Sequence, residues 1–338
     1  MHYIVTGGAG YLGSHMTAYL HENGHRVTIL DNFSNSDYDA FSRLQSICDN
    51  SINLMELDLR DQGKLNAAFI TASLKEPVAA VLHFAGLKAV GESSRDPLLY
   101  YRNNLESTMS LIEAMEKHKV HSLVFSSSAT VYGTPEILPV NESARLNTTN
   151  PYGATKLICE DILRDVALSK TDSPWRIAIL RYFNPVGAHR SGKIGEKPQG
   201  TPNNLMPYVF DVATGKRREV NVFGSDYDTK DGTGVRDYIH VTDLIEGHAA
   251  ALRYLQNNKG VEAFNLGTGE GYSVLDMIRR TEMITKQPVP YVFTARRPGD
   301  LGTVYADPGK AKTLLQWQAK RTLDDMISDQ WRWQNNLK

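Results

Sequence analysis

Tyr152 and Lys156 stand four positions apart, just behind Asn150-Pro151. Asn-Pro is a good helix entry, and a spacing of four puts a phenol and an ammonium on one helical face. A phenol ionises near pH ~10, so it acts as a base at neutrality only where its surroundings favour the phenolate. A lysine cation beside it does so. Upstream, Phe125-Ser126-Ser127-Ser128 closes an apolar run and sets hydroxyls at a strand end. Hydroxyl, phenol and ammonium in this order suit proton transfer at a substrate hydroxyl. Ser128, Tyr152 and Lys156 are the catalytic candidates.

A second constellation opens the chain. Thr6-Gly7-Gly8-Ala9-Gly10-Tyr11-Leu12-Gly13 satisfies G-x-x-G-x-x-G through Gly7, Gly10 and Gly13, and G-x-G-x-x-G through Gly8, Gly10 and Gly13. Glycines at these places allow a sharp turn, close approach of backbone to a pyrophosphate, and tight helix–sheet packing. The N–H groups of a following helix, beginning at Tyr11 and Leu12, bind phosphate charge. Asp31 follows the last glycine by about 20 positions, where a carboxylate holds ribose hydroxyls and repels a 2′-phosphate. The cofactor expected is NAD rather than NADP.

These residues need a particular frame. Residues 2–6 form a β-branched and aromatic run, 11–23 repeat apolar positions at helical spacing, and 26–30 form a second strand. Apolar runs at 52–57, 78–84, 122–125 and 177–180 continue the pattern, with helical stretches between most of them. Alternating strands and helices predict an α/β fold, a Rossmann-type doubly wound parallel sheet. Past Arg181 the texture changes, and 185–207 is rich in Gly, Pro and Asn. The expected division is a cofactor domain over 1–181 and a smaller, mixed α/β substrate region over 182–338, with a return to the first domain around 236–265.

Composition narrows the partners. The 338 residues carry a formal net charge of −1, which offers no general basic field for nucleic acid. Cys48 and Cys159 form no C-x-x-C, so neither a disulfide framework nor a cysteine zinc site is expected, and no metal is assigned to the ten histidines. No basic and apolar leader precedes the first strand, and no apolar run approaches membrane-span length, so a cytoplasmic location is expected. Trp317, Trp331 and Trp333 read as packing anchors, and Lys216-Arg217-Arg218 as solvated surface.

The chain resembles the extended short-chain dehydrogenase/reductase family, and within it the UDP-glucose 4-epimerase branch. Beyond the two constellations, the likeness is carried by Phe84-Ala85-Gly86-Leu87-Lys88-Ala89-Val90-Gly91-Glu92-Ser93, by Ser126 to Gly133 (Ser-Ser-Ser-Ala-Thr-Val-Tyr-Gly), and by Arg181-Tyr182-Phe183-Asn184-Pro185-Val186-Gly187-Ala188. Pro202-Asn203-Asn204-Leu205-Met206-Pro207 and Asp231 to Val241 (Asp-Gly-Thr-Gly-Val-Arg-Asp-Tyr-Ile-His-Val) are specific to that branch. The resemblance implies a tightly held NAD, removal of hydride from C4 of a UDP-hexose, and its return to the other face of a 4-keto sugar. Tyr152 would take the 4-hydroxyl proton, Ser128 would bond that oxygen, and Lys156 would orient the nicotinamide ribose and lower the phenol pKa. Asn32, Asn35, Asp58 and Leu59 would border the adenosine. Phe84, Ala85, Gly86, Lys88, Asn103, Ser126, Tyr182 and Phe183 would complete the cofactor site. Lys88 and Phe183 would also reach the sugar nucleotide, together with Asn184, Asn203, Asn204, Leu205, Val222, Phe223, Tyr238 and Asp300. Arg236 and Arg297 are candidates for the diphosphate, since a guanidinium fork pairs with oxygens. A homodimer formed through two helices, one of them starting near Tyr152, is also implied.

Rival readings share most of these parts. A sugar-nucleotide dehydratase of the same family carries Asp-Glu directly after the active hydroxyl, where this chain has Ala129-Thr130. An NAD-dependent reductase stays open, and a non-enzymatic NAD sensor would have no use for Ser128, Tyr152 and Lys156. One position bears on the sugar. In the resemblance, Val304 is a gate beside the 2-substituent: tyrosine there accompanies strict UDP-glucose/UDP-galactose enzymes, and small residues accompany acceptance of N-acetylated sugars. Valine implies a pocket that also admits, or prefers, UDP-GlcNAc and UDP-GalNAc.

Overall fold

The apolar runs form strands, and all but the edge strand Asn53–Glu56, which is partly exposed, are largely buried, as a sheet covered on two sides requires. These are β1 (His2–Thr6), β2 (Arg26–Asp31), β3 (Asn53–Glu56), β4 (Val78–His83), β5 (Ser122–Ser126) and β6 (Arg176–Tyr182). In the computed structural model, which describes residues 1–169, 173–200, 202, 204–297 and 299–337, they join a seven-stranded sheet. Its order is Gly260–Leu266, β6, β5, β4, β1, β2, β3. β1 to β6 pair in parallel throughout. The order reverses at β1 and β4, so the loops leaving their carboxyl ends part there and open the crevice where such sheets bind ligands.

Two helices flank the catalytic candidates. Pro97–Lys117 is capped by Asp96 and Pro151–Leu168 by Asn150, each with proline in its first turn. Leu111, Met115 and Leu163 pack with Ile4, Val81, Leu123 and Ile177 in one apolar core. Inside this frame Arg181 and Glu160 are buried as an ion pair, 1% and 0% exposed. Arg181 donates through Nε at 2.9 Å and Nη2 at 2.6 Å to the two Glu160 oxygens. Ser127 and Arg164 also donate to this carboxylate. A buried pair so fully bonded is costly to break from either side, about 3–5 kcal/mol. It ties the end of β6 to the helix that carries Tyr152.

The chain forms two compact units. The first comprises Met1–Gly133, Leu146–Arg181 and Ile245–Phe264, and the second Thr134–Arg145, Tyr182–Leu244 and Asn265–Lys338. Thr134–Arg145 thus joins the second unit, although it precedes the boundary expected at 181. The cause is local bonding: Val140 N–H donates to Tyr305 O at 3.0 Å, and Asn265 Nδ2 donates to Val140 O at 2.8 Å.

In the second unit the strands are short and paired across long loops. Asn184–Val186 runs beside Tyr238–His240, Val220–Phe223 beside Tyr291–Thr294, and Val235–Arg236 between Tyr272–Ser273 and Thr303–Val304. Trp317 and Trp333 are buried here and donate to the Asp243 and Glu196 carbonyls, and Trp331 packs on the core, as anchors should.

Candidate active site

The glycine turn follows β1 and enters helix Tyr11–Glu22. Gly7 has φ +65, and a Cβ there would lie 2.7 Å from Ala85 N, so the β1 and β4 loops touch through it. A Cβ on Gly13 would meet Gly7 O at 2.1 Å, so the helix packs directly on the turn. Gly10 differs. Its φ of −75 suits any residue, and a Cβ would find only Gly7 O, at 3.3 Å. Backbone strain does not demand glycine at that point; a bare turn there leaves room for a ligand to pass close over it. The helix start carries no side-chain cap and no acidic residue in its first turn, which suits an anion. The residues fit a dinucleotide.

Asp31 ends β2 beside this turn. Its carboxylate accepts from Ala9 N–H at 2.9 Å, Phe33 N–H at 2.9 Å and Ser36 Oγ at 3.1 Å, which fixes its orientation. Asn32 donates to Asp58, whose carboxyl is drawn down to about 2 chiefly by its bond from Arg60. Leu59 is a core residue, and Asn35 is exposed. At the β4 end, Asn104 holds the loop of Phe84, Ala85 and Gly86. Its Oδ1 accepts from Leu87 N–H at 2.8 Å and from Asn103, and its Nδ2 donates to Leu87 O and Thr155. Lys88 lies exposed on this loop.

The catalytic candidates meet within the first unit. Tyr152 is 9% exposed, Ser128 8% and Lys156 7%. Ser128 lies beside the Tyr152 phenol; burial pushes the phenol up to about 12, and the Ser128 hydroxyl pulls it back. Lys156 donates through Nζ to Ser126 O at 2.7 Å and lies 5.0 Å from the Phe125 ring centre. Burial brings Lys156 down to about 8, opposed by Cys159 and Glu160. The lysine cation was expected to lower the phenol, but in this chain burial and Ser128 set it, because the ammonium is turned onto the Ser126 carbonyl. Ser93 Oγ accepts from the Tyr152 N–H at 3.1 Å and so satisfies a donor of the helix's first turn.

The substrate candidates, with Tyr182 and Phe183, lie in the second unit, apart from Lys88, Ser128 and Tyr152. Arg297 lies over the Phe223 ring, 4.6 Å from guanidinium to centroid, and donates to Asp300 at 2.8 Å. Arg236 gives bonds to the carbonyls of Val235, Leu301 and Gly302, and Val304 pairs with it in the strand register. Tyr238 pairs with Asn184, Asn204 donates to Glu196, Leu205 is partly buried, and Val222 is a core residue. Asn203 lies outside the described residues.

Several supporting residues escaped sequence reading: Asn104, Ser93, Glu160 and Asp237. Glu160 left a trace, four positions after Lys156 on the same helical face, and Ser93 and Asp237 stand inside the motifs that carry the resemblance without a role of their own. Asp237 accepts from Thr268, Gly269 and Ala306, and holds three loops together. One metal-like spacing, His21-Glu22-Asn23-Gly24-His25, also calls for an answer. The helix ends at Glu22 and Gly24 has φ +74, so the two rings do not share a helical face. Among the described residues no group of three His, Cys, Asp or Glu could hold a metal ion. No helix among them is long and apolar enough to cross a membrane.

Comparison with known proteins agrees with this geometry. The model of the NAD dependent epimerase/dehydratase family matches residues 3–267. The UDP-glucose 4-epimerase of Bacillus subtilis is 55% identical over 333 residues, 98% of this chain and 96% of that protein. The crystal structure of UDP-glucose 4-epimerase from Bifidobacterium longum, in complex with NAD+ and UDP, is similar with a TM-score of 0.94 and 48% identity. The match covers 99% of this chain and 98% of that one. The UDP-Glc/GlcNAc 4-epimerase of Campylobacter jejuni is similar with a TM-score of 0.83 and 35% identity, over 99% of both chains. By its nucleotide turn, its buried Ser–Tyr–Lys group and these matches, the chain belongs to the NAD dependent epimerase/dehydratase family.

Proposed function

We propose that this chain is a UDP-hexose 4-epimerase, interconverting UDP-glucose and UDP-galactose through a 4-keto sugar with NAD held throughout. The observation that carries the reading is the burial of Ser128, Tyr152 and Lys156 together in a first unit built around a dinucleotide turn. The near full-length similarity to UDP-glucose 4-epimerases supports it. NAD, when bound, supplies the hydride acceptor. Tyr152 takes the proton of the 4-hydroxyl, and Ser128 holds the same oxygen. Lys156 adds positive charge beneath the Gly86 loop, 3.8 Å from where a Cβ on that glycine would stand. Gly7, Gly10 and Gly13 cradle the pyrophosphate, and Asp31 holds the adenosine ribose. Phe223, Arg297, Asp300 and Arg236 bind the UDP moiety.

A dehydratase reading is disfavoured by Ala129-Thr130, since neither side chain is an acid for loss of water. The reading extends to UDP-GlcNAc and UDP-GalNAc, because valine stands at 304 where, in the resemblance, a tyrosine accompanies enzymes restricted to the sugars without an acetamido group. The partner is a second copy of the chain, docked on helices Pro97–Lys117 and Pro151–Leu168. The test is turnover of UDP-galactose by purified protein with no NAD added. Formation of UDP-glucose is expected; a strict need for added cofactor would favour a reductase, and no turnover would remove the enzyme reading.

A further inference from the structure

Ser128 has one hydroxyl hydrogen and two acceptor positions. Both acceptor positions are filled by a single neighbour: the Thr130 N–H donates to Ser128 Oγ at 3.2 Å, and Thr130 Oγ1 donates to it at 3.0 Å. Toward Tyr152 the hydroxyl is left one role, that of donor. A donor to a phenol oxygen favours the phenolate, whereas an acceptor would favour the neutral phenol.

The turn carrying Thr130 is held in place against the Tyr152 helix. A Cβ on Gly153 would lie 3.0 Å from Thr130 O, and one on Gly133 would lie 1.6 Å from Asn147 O. Asn147 N–H donates to Val131 O at 3.1 Å. The backbone of the turn that carries Thr130 therefore packs closely on helix Pro151–Leu168 at its first turn.

We propose that Thr130 is a positioning residue: by filling both acceptor positions of Ser128 it leaves Ser128 only its hydrogen to offer, first to the Tyr152 oxygen and then to the sugar oxygen. The inference rests on the reading of Tyr152 as the base. In the step it serves, the proton of the substrate 4-hydroxyl passes to the Tyr152 oxygen, and the Ser128 hydrogen, still on Ser128, turns from the tyrosine oxygen to the 4-oxygen of the sugar. It also accounts for a threonine at the place where dehydratases of the family carry an acid: an ionised carboxylate has no hydrogen to give Ser128.

The other titratable groups around the phenol have partners of their own. Lys156, on the same helix, bonds the Ser126 carbonyl. Tyr100, on helix Pro97–Lys117, donates to Glu92 of helix Val90–Arg95 at 2.6 Å. Tyr132, on the turn itself, accepts from Arg181 at 3.1 Å. Replacing Thr130 touches none of these bonds.

The experiment compares wild type, Thr130→Val and Thr130→Ser as NAD-loaded proteins, by kcat for UDP-galactose against pH and by tyrosinate absorbance with Tyr152→Phe as the blank. Valine keeps the shape of threonine and removes the hydroxyl. One lost hydrogen bond of ordinary strength should lower kcat near neutrality about tenfold and move the acid limb up by about one pH unit. KM should stay within about twofold, the deficit should close at high pH, and Thr130→Ser should restore the profile. The phenol midpoint should rise in Thr130→Val by the same interval. An unmoved midpoint, or a Thr130→Ser protein that titrates like Thr130→Val, overturns the proposal. Should wild type fail to turn over UDP-galactose, the functional reading falls, and the absorbance titration still decides this one.

Discussion

Val304 is buried, 7% exposed, in a strand of two residues beside Arg236. On the proposed reading, valine in place of a tyrosine ring lets an N-acetylated sugar enter. Purified protein should turn over UDP-GalNAc with kcat/KM within about tenfold of UDP-galactose, and Val304→Tyr should cut the acetamido activity about a hundredfold through a clash. Undetectable turnover of UDP-GalNAc by the wild type would sink the idea. At this scale the sequence was readable where one residue type performs the chemistry: Tyr152, Lys156 and the glycines announce themselves by type and spacing. It was not readable for the residues that orient them. Asn104 reaches Leu87 and Thr155, and Ser93 reaches the Tyr152 N–H, across tens of residues that only folding brings together.

Helices Pro97–Lys117 and Pro151–Leu168 pack on each other and keep apolar side chains on the outside. Leu98 and Met109, three helical turns apart on one face, are 67% and 42% exposed, and Ile158 is 36% exposed. Scattered exposed apolar residues are ordinary; a row of them on two adjacent helices suits a second copy packed against both. In sedimentation analysis the wild type should run as a dimer, and Met109→Arg with Ile158→Glu should run as a monomer; a monomeric wild type contradicts the proposal. Among the elements, the strands of the large sheet were legible, since buried parallel strands read as continuous apolar runs. The strands of the second unit were not. Thr303–Val304 and Val235–Arg236 are too short to show a period, and their pairing is set by Asp237 binding Thr268, Gly269 and Ala306.

Across the whole molecule, the cofactor turn and the catalytic group fall in the first unit, and most of the nucleotide-sugar candidates in the second. The change of texture past Arg181 lies at the junction of the two units at Arg181 and Tyr182. The assignment of Thr134–Arg145 to the second unit was not visible, because Val140 is held there by residues more than a hundred positions later. In the proposed mechanism the hydrogen on C4 leaves the sugar and returns to it without meeting solvent. UDP-galactose bearing deuterium at C4, incubated with the purified protein in ordinary water with no added NAD, tests this directly. The UDP-glucose formed should keep its deuterium at C4; a product carrying hydrogen from water at that carbon would contradict the account.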